Sequence, residues 1–244
     1  MKYYYDLHTH SCLSPCGDSD NTPNNIAGMA KLCGLDIIAL TDHNSCKNCP
    51  GFFEACHRYG IVPIAGMELT TSEDIHLVCL FPTLEQALSF DREIEGHRMP
   101  MKNRPELFGE QIIMDGEDNI VGCEDALLSY ATDLSVDDAP ALVNRFGGVC
   151  YPAHIDRSSN GIIAVLGTVP HHIGFKCYEL REPSKDMDIR KRYGLDNMLM
   201  ISSSDAHYLG DVNEQENFLV LPDGLQGDGI VSALFAILRG EDKA

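Results

Sequence analysis

The chain has 244 residues, with 18 Lys and Arg against 37 Asp and Glu and a formal net charge of −19. At 44% hydrophobic and 23% charged, its composition is that of a globular protein, not of a disordered, fibrous or membrane-bundle chain. The acidic balance argues against sequence-independent binding to nucleic acid or anionic lipid, both of which need clustered Lys and Arg. Neither a nucleic-acid duplex nor a membrane is therefore expected as a partner, although a nuclease whose metals meet the phosphate stays open. Met1–His8 carries no apolar core or small-residue cleavage site of a signal peptide, so a cytoplasmic location is expected. Gly161–Gly167 and Ile230–Leu238 are too short to span a bilayer, which needs about 20 residues. In a reducing compartment, 10 cysteines point to buried thiols, metal ligands or redox chemistry.

Short apolar runs alternate with helical patterns along the chain. Tyr3–Leu7 is a strand. Thr22-Pro23 starts a helix, with Thr as N-cap and Pro at the first helical position. Ile26, Met29, Ala30 and Cys33 follow on one apolar face, and Gly34 ends the helix. Asp36–Leu40 is the next strand, followed by a helix in Phe52–Tyr59. Strands at Ile61–Ala65 and Ile75–Leu80 and a helix at Glu85–Gly96 come next. Further strands are expected at Val149–Pro152, Phe175–Leu180, Met198–Ser202 and Phe218–Leu221, then an amphipathic helix carrying Ile230, Leu234, Ile237 and Leu238. Repeated βα units imply an α/β fold with a parallel sheet covered by helices, open or closed into a barrel. Residues 96–139 break the rhythm with a hairpin, Gln111–Met114 and Asn119–Val121. This segment is too small for an independent core, so residues 1–244 are expected to form one domain with an insertion at about 96–139, placed to act as a lid.

The histidines and carboxylates gather just past the predicted strands. His8 and His10, two apart on an extended strand, point to the same side and can share a metal. Asp42-His43 follows the second strand, Glu68 the third and His154 the strand at Val149–Tyr151. Asp205 and His207 follow Met198–Ser202, and His76 lies at or near the start of its own strand. Six such groups at the ends of successive strands would converge on one barrel face, the C-terminal face where barrel active sites are built. Imidazole mixed with carboxylate suits Zn, Mn or Fe better than Ca or Mg. The donors exceed what one four-coordinate zinc uses, so about two or three ions are expected.

His8-Thr9-His10-Ser11, Thr41-Asp42-His43, Gly66-Met67-Glu68, Ala153-His154 and Ser204-Asp205-Ala206-His207 resemble, in order and spacing, the motifs of the PHP (polymerase and histidinol phosphatase) family. The resemblance implies a distorted (β/α)7 TIM-like barrel, up to three metals and phosphoesterase activity. It assigns one metal to His8, His10, Glu68 and Asp205. A second would share Glu68 and add His76 and His154. A third would use His43, His207 and an acidic or imidazole residue after the first motif. Asp18 fits that role by distance from Thr22-Pro23, with Asp20 as the alternative because the loop carries about two extra residues. Glu68, Asp205 and His207 are the expected catalytic residues, and Asp42 would orient a neighbouring ligand.

The ions would acidify a water near neutral pH and stabilise charge during in-line attack on phosphorus. Arg157, and more weakly Arg181, are candidate partners for the phosphate oxygens; a surface Arg157 paired with Asp156 is the bland alternative. The expected substrate is a small phosphomonoester, a nucleotide or a short oligonucleotide end, with histidinol phosphate as a narrower alternative. Two non-catalytic readings compete: a structural PHP-like module, and a metal or redox sensor. The sensor would use Cys12, Cys16, Cys46 and Cys49, whose loops leave the same barrel face and could bring four thiols together; packing or loop roles are the alternative. His171-His172, at the opposite end of the barrel, is expected to be structural, and His57 and His97 to lie on the surface.

Overall fold

The computed structural model describes residues 1–241. In chain order its elements are β1 (Lys2–Asp6), α1 (Pro23–Leu32), β2 (Ile37–Leu40), α2 (Cys49–Tyr59), β3 (Val62–Thr70), β4 (His76–Phe81), α3 (Leu84–Glu95), α4 (Pro105–Phe108), β5 (Ile112–Met114), β6 (Ile120–Cys123), α5 (Ala139–Arg145), β7 (Val149–Pro152), α6 (Ile162–Leu166), β8 (Cys177–Glu179), α7 (Asp186–Tyr193), β9 (Leu199–Ile201), β10 (Phe218–Val220) and α8 (Asp228–Leu238). Local chemistry sets many of these boundaries. The Thr22 side chain accepts the Asn25 N–H, Pro23 fills the first turn of α1, and Gly34 leaves the helix with a φ of +73°. No helix among the described residues is long and apolar enough to cross a membrane.

The main sheet runs β10-β1-β2-β3-β4-β7, and β8 pairs with β9 in parallel. Contacts at one end curl these into a distorted TIM-like barrel. Thr9 bridges Ala206, with the His10 N–H donating to the Ala206 carbonyl at 2.9 Å. The Ile155 N–H donates to the Glu179 carbonyl at 2.9 Å, joining the chain after β7 to β8. Along β2, Ile37 and Ala39 pack in one core cluster while Ile38 and Leu40 pack in another with α1 and α2. A strand buried on both faces is a continuous apolar run for that reason. At the far end, the Cys177 thiol at the start of β8 meets the Leu238 carbonyl of α8 at 3.3 Å.

The expectation of a parallel sheet fails at two strands. β10 is antiparallel to β1. Between β3 and β4 there is no helix: Asp74 takes a φ of 65°, the Thr71 N–H bonds the Ile75 carbonyl, and β4 returns antiparallel with Thr70 opposite His76. β3 also runs on beyond Ala65. This reversal puts His76, the first residue of β4, at the same end of the barrel as the last residues of the parallel strands.

Between α3 and α5 the chain lies against the loops that follow β1 and β2. The Ile112 N–H bonds the Cys12 carbonyl, and the Met114 N–H bonds the Asn48 side chain, each at 2.9 Å. The Asn44 amide donates to the Leu128 and Tyr130 carbonyls at 2.7 and 2.9 Å. Arg98, hydrogen-bonded to the Asn44 carbonyl and paired with Asp91 and Glu124, fixes the start of the segment.

Candidate metal centre

Glu68 lies at the middle of the strand-end cluster and is 1% exposed. Its Oε1 is 2.8 Å from His76 Nδ1, 3.1 Å from His154 Nε2 and 3.4 Å from His8 Nε2. Its Oε2 is 3.1 Å from His43 Nδ1 and 3.3 Å from His10 Nε2. Asp205 Oδ1 completes the set at 3.3 Å from His10 Nε2 and 3.5 Å from His8 Nε2. Three overlapping groups are compact enough to hold a cation: His8, His10, Glu68 and Asp205; His43, Glu68 and His76; and His10, His43 and His207.

The second and third groups differ from the expected ligand sets. His43 joins Glu68 and His76, and His10 joins His43 and His207. Asp18 belongs to none of the groups. Its Oδ1 accepts the Asp20 N–H at 2.8 Å, and only its backbone touches the site, through an N–H bond to the His207 carbonyl. Asp20 is exposed.

Hydrogen bonding fixes which imidazole nitrogens face the cluster. The Ser14 hydroxyl donates its single hydrogen to Asp42 Oδ1 at 2.7 Å and accepts the His43 N–H at 3.1 Å. His10 Nδ1, 3.0 Å from the same oxygen, must then be the donor, which turns Nε2 toward Glu68 as the nitrogen a cation would take in place of a proton. Asp42 is held in turn by the Ser11 N–H and hydroxyl at 2.7 and 2.6 Å. The His207 Nδ1–H donates to the Asp205 carbonyl at 2.7 Å, leaving its Nε2 bare.

The sequence reading missed one partner, Glu179, the last residue of β8. Its carboxylate, 1% exposed, meets His8 Nδ1 at 2.9 and 3.1 Å and accepts the His154 N–H at 3.4 Å. It therefore turns His8 Nε2 toward the cluster. The available signal was a carboxylate at the end of an otherwise apolar strand.

The electrostatics are those of a cluster built for positive charge. Burial would push the His8 ring down, but Glu179, Glu68 and Asp205 hold it well above its ordinary range, and His10 rises to about 9 for the same kind of reason. Burial would raise the Glu68 carboxyl, yet His76, His8 and His43 keep it well below the usual range. Burial lowers His43, and burial with the His10 charge lowers His207 to about 4. Buried Asp205 Oδ1, His43 Nδ1 and His154 Nδ1 have no hydrogen-bond partner. Orphaned donor atoms beside mixed imidazole and carboxylate fit Zn, Mn or Fe. Left-handed backbone at Asn44, His154 and Asp205, with φ of 46°, 28° and 54°, concentrates strain at the same place.

Arg157 pairs with Asp205 Oδ2 at 2.9 Å, not with Asp156, and Arg181 Nη1 is 3.8 Å from the same oxygen. Asp156 instead accepts the Arg181 and Glu182 N–H groups, both at 3.0 Å. Both guanidiniums are partly exposed at the rim.

The four thiols do not meet. Cys12 lies against the Met114 sulfur, Cys16 is exposed, and Cys46 and Cys49 sit in the core, each near the Gly66 carbonyl. Helix α2 begins at Cys49, earlier than expected, and turns that side chain inward. Among the described residues no cysteine belongs to a metal-binding group. His172 pairs with Asp137 on the surface and His97 with Asp133, while His57 is exposed.

The PHP domain model matches residues 6–218. An error-prone DNA polymerase of Symbiobacterium thermophilum is 28% identical over 131 residues, covering 53% of this chain but 12% of that protein. Among solved structures, the lesion-specific endonuclease Q of Pyrococcus furiosus superposes with a TM-score of 0.65 at 18% identity, over 99% of this chain and 57% of that one. A candidate metal-dependent phosphoesterase of Bifidobacterium adolescentis gives 0.57 at 18% identity, over 96% of both chains. The expectation of no duplex nucleic-acid partner is overturned. An endonuclease Q structure with this fold, TM-score 0.63 at 17% identity over 97% of this chain and 57% of that one, holds a 27-mer duplex with an abasic lesion at its active site. Net charge is a whole-molecule sum and does not report the few cations around a site. The chain thus belongs to the PHP domain family, the family that its motifs resemble.

Proposed function

We propose that the protein hydrolyses phosphate esters at a centre of about two or three divalent ions, with nucleotides or nucleic-acid strands as the substrate class. The observation that carries this reading is Glu68, whose two oxygens face different histidines: His76 and His154 on one side, His43 and His10 on the other. A carboxylate so placed suits a bridge between neighbouring cations. The Nε2 atoms of His8 and His10, giving up their protons, would hold one ion with Asp205, and His76, with His154 or His43, the next. His207, with His10 and His43, is the best candidate for a third.

Bound there, divalent ions would supply Lewis acidity toward phosphate oxygens and lower the pKa of a nearby water. The protein's own groups do the rest. Glu179 and the Asp42–Ser14 pair hold His8 and His10 in one tautomer and orientation. Arg157 and Arg181 offer planar donors to phosphate oxygens at the rim. Their contacts with Asp205 keep both groups over the cluster before a substrate arrives.

Glu68→Ala tests the reading, because it removes the shared ligand. Metal content and turnover of bis(p-nitrophenyl) phosphate should fall together. Full turnover in this variant would overturn the proposal.

A further inference from the structure

Beside the metal centre, residues 101–130 form an open groove of about 670 Å3, lined by Met101, Lys102, Arg104, Phe108, Leu127 and Tyr130. Its ends touch the two loops that carry His10 and His43. At one end Gly109, next to Phe108, takes a φ of +93° and packs so tightly that a Cβ there would lie 2.5 Å from the Pro15 carbonyl. Pro15 follows Ser14, the partner of His10. At the other end the Tyr130 carbonyl accepts the Asn44 amide, one residue after His43. Tyr130, Phe108 and Met101 are 45%, 41% and 43% exposed. Nearby Lys47 and Arg98 are neutralised by Glu124, Glu95 and Asp91. Lys102 and Arg104 make no ion pair among the described residues, and the Arg104 guanidinium lies 5.8 Å from the Phe108 ring centre.

We infer that this groove binds unpaired nucleobases of a nucleic-acid strand whose adjoining phosphodiester reaches the metal centre. The inference rests on the phosphoesterase reading for its direction but not for its site. Exposed aromatic and thioether surface gives bases a face to stack on, and every base has such a face. Two uncompensated cations beside it complement the strand's phosphates in a chain that is otherwise strongly acidic. A purely apolar protein ligand would leave both cations without a partner.

The test is fluorescence anisotropy of a labelled twelve-nucleotide oligothymidylate with the full-length protein, run beside an oligonucleotide cleavage assay. The combined Phe108→Ala, Tyr130→Ala variant should bind at least about tenfold more weakly, because each lost stacking contact costs that order of affinity. Tyr130→Phe, which keeps the ring, should retain binding. Lys102→Glu should weaken binding and flatten its salt dependence. The inference is overturned if the wild type does not bind the strand, or if the double alanine variant binds as tightly as wild type. Cleavage with groove-independent affinity would leave the hydrolase standing and remove the groove. Groove-dependent binding without hydrolysis of any phosphate ester would do the reverse.

Discussion

At the scale of single residues, the centre depends on which imidazole nitrogen is free. His8 is set by Glu179, so the charge and the acceptor of that side chain can be separated. Glu179→Ala should weaken metal binding about 10–100-fold, the usual effect of losing a ligand's carboxylate partner. Glu179→Gln keeps an acceptor for the Nδ1–H and should fall between Ala and wild type. Competition with a fluorescent chelator reads this directly, and equal losses for Gln and Ala would assign Glu179 to packing alone. Arg157→Ala should raise KM for phosphate esters with metal content unchanged, and an unchanged KM would remove Arg157 from the substrate's path. The histidines and acids of the cluster were visible in the sequence because they lie just past a strand or near its end, with His76 at the start of one. Glu179 was not, because Tyr178-Glu179-Leu180 has no neighbouring histidine to mark it. Asp18 was chosen by counting along a loop, and counting cannot show that its carboxylate turns back to the Asp20 N–H.

At the scale of elements, Asn44 is the rivet between barrel and insertion. Its amide serves Leu128 and Tyr130, and its Oδ1 accepts the Thr70 N–H at 2.8 Å. Asn44→Ala strands these buried groups and also loses a residue type that tolerates left-handed backbone. It should cost about 2–4 kcal/mol. Hydrogen exchange should quicken in residues 96–132 while β2 and β3 stay protected; uniform loss across the barrel would show that the insertion is not a separable unit. Elements with strong local signals were legible: Thr22-Pro23 opens α1, and the hairpin of residues 111–123 was expected within a residue or two. Helix α7 was missed because none of its residues is fully buried and only Ile189 and Tyr193 pack against the core, too few to mark an apolar stripe. The reversed direction of β4 was missed because alternation and burial are the same in either direction. Only the turn at residues 71–75 decides it.

At the scale of the whole molecule, buried histidines and the buried carboxylates of Glu68, Asp205, Glu179 and Asp42 are gathered at one end of the barrel. Such a centre favours cation binding, and a ligand at about a thousand times its Kd adds about 4 kcal/mol of stability. Chelation should therefore lower Tm by on the order of 10 °C, and readdition of Zn, Mn or Fe should restore it. A Tm unmoved by chelator would mean that the cluster holds no tightly bound ion. Global charge was the sequence property that misled: −19 says little about a rim where Arg157, Arg181, Lys102 and Arg104 face outward. The family's barrel was legible at this scale because its motifs are spread through most of the chain.

The most direct measurement is elemental analysis of protein purified without chelator, with turnover of p-nitrophenyl phosphate and its bis-ester on the same samples. The account predicts about two or three Zn, Mn or Fe per chain with hydrolysis, and loss of both in Glu68→Ala. Metal near zero that cannot be restored, with no turnover, would contradict it.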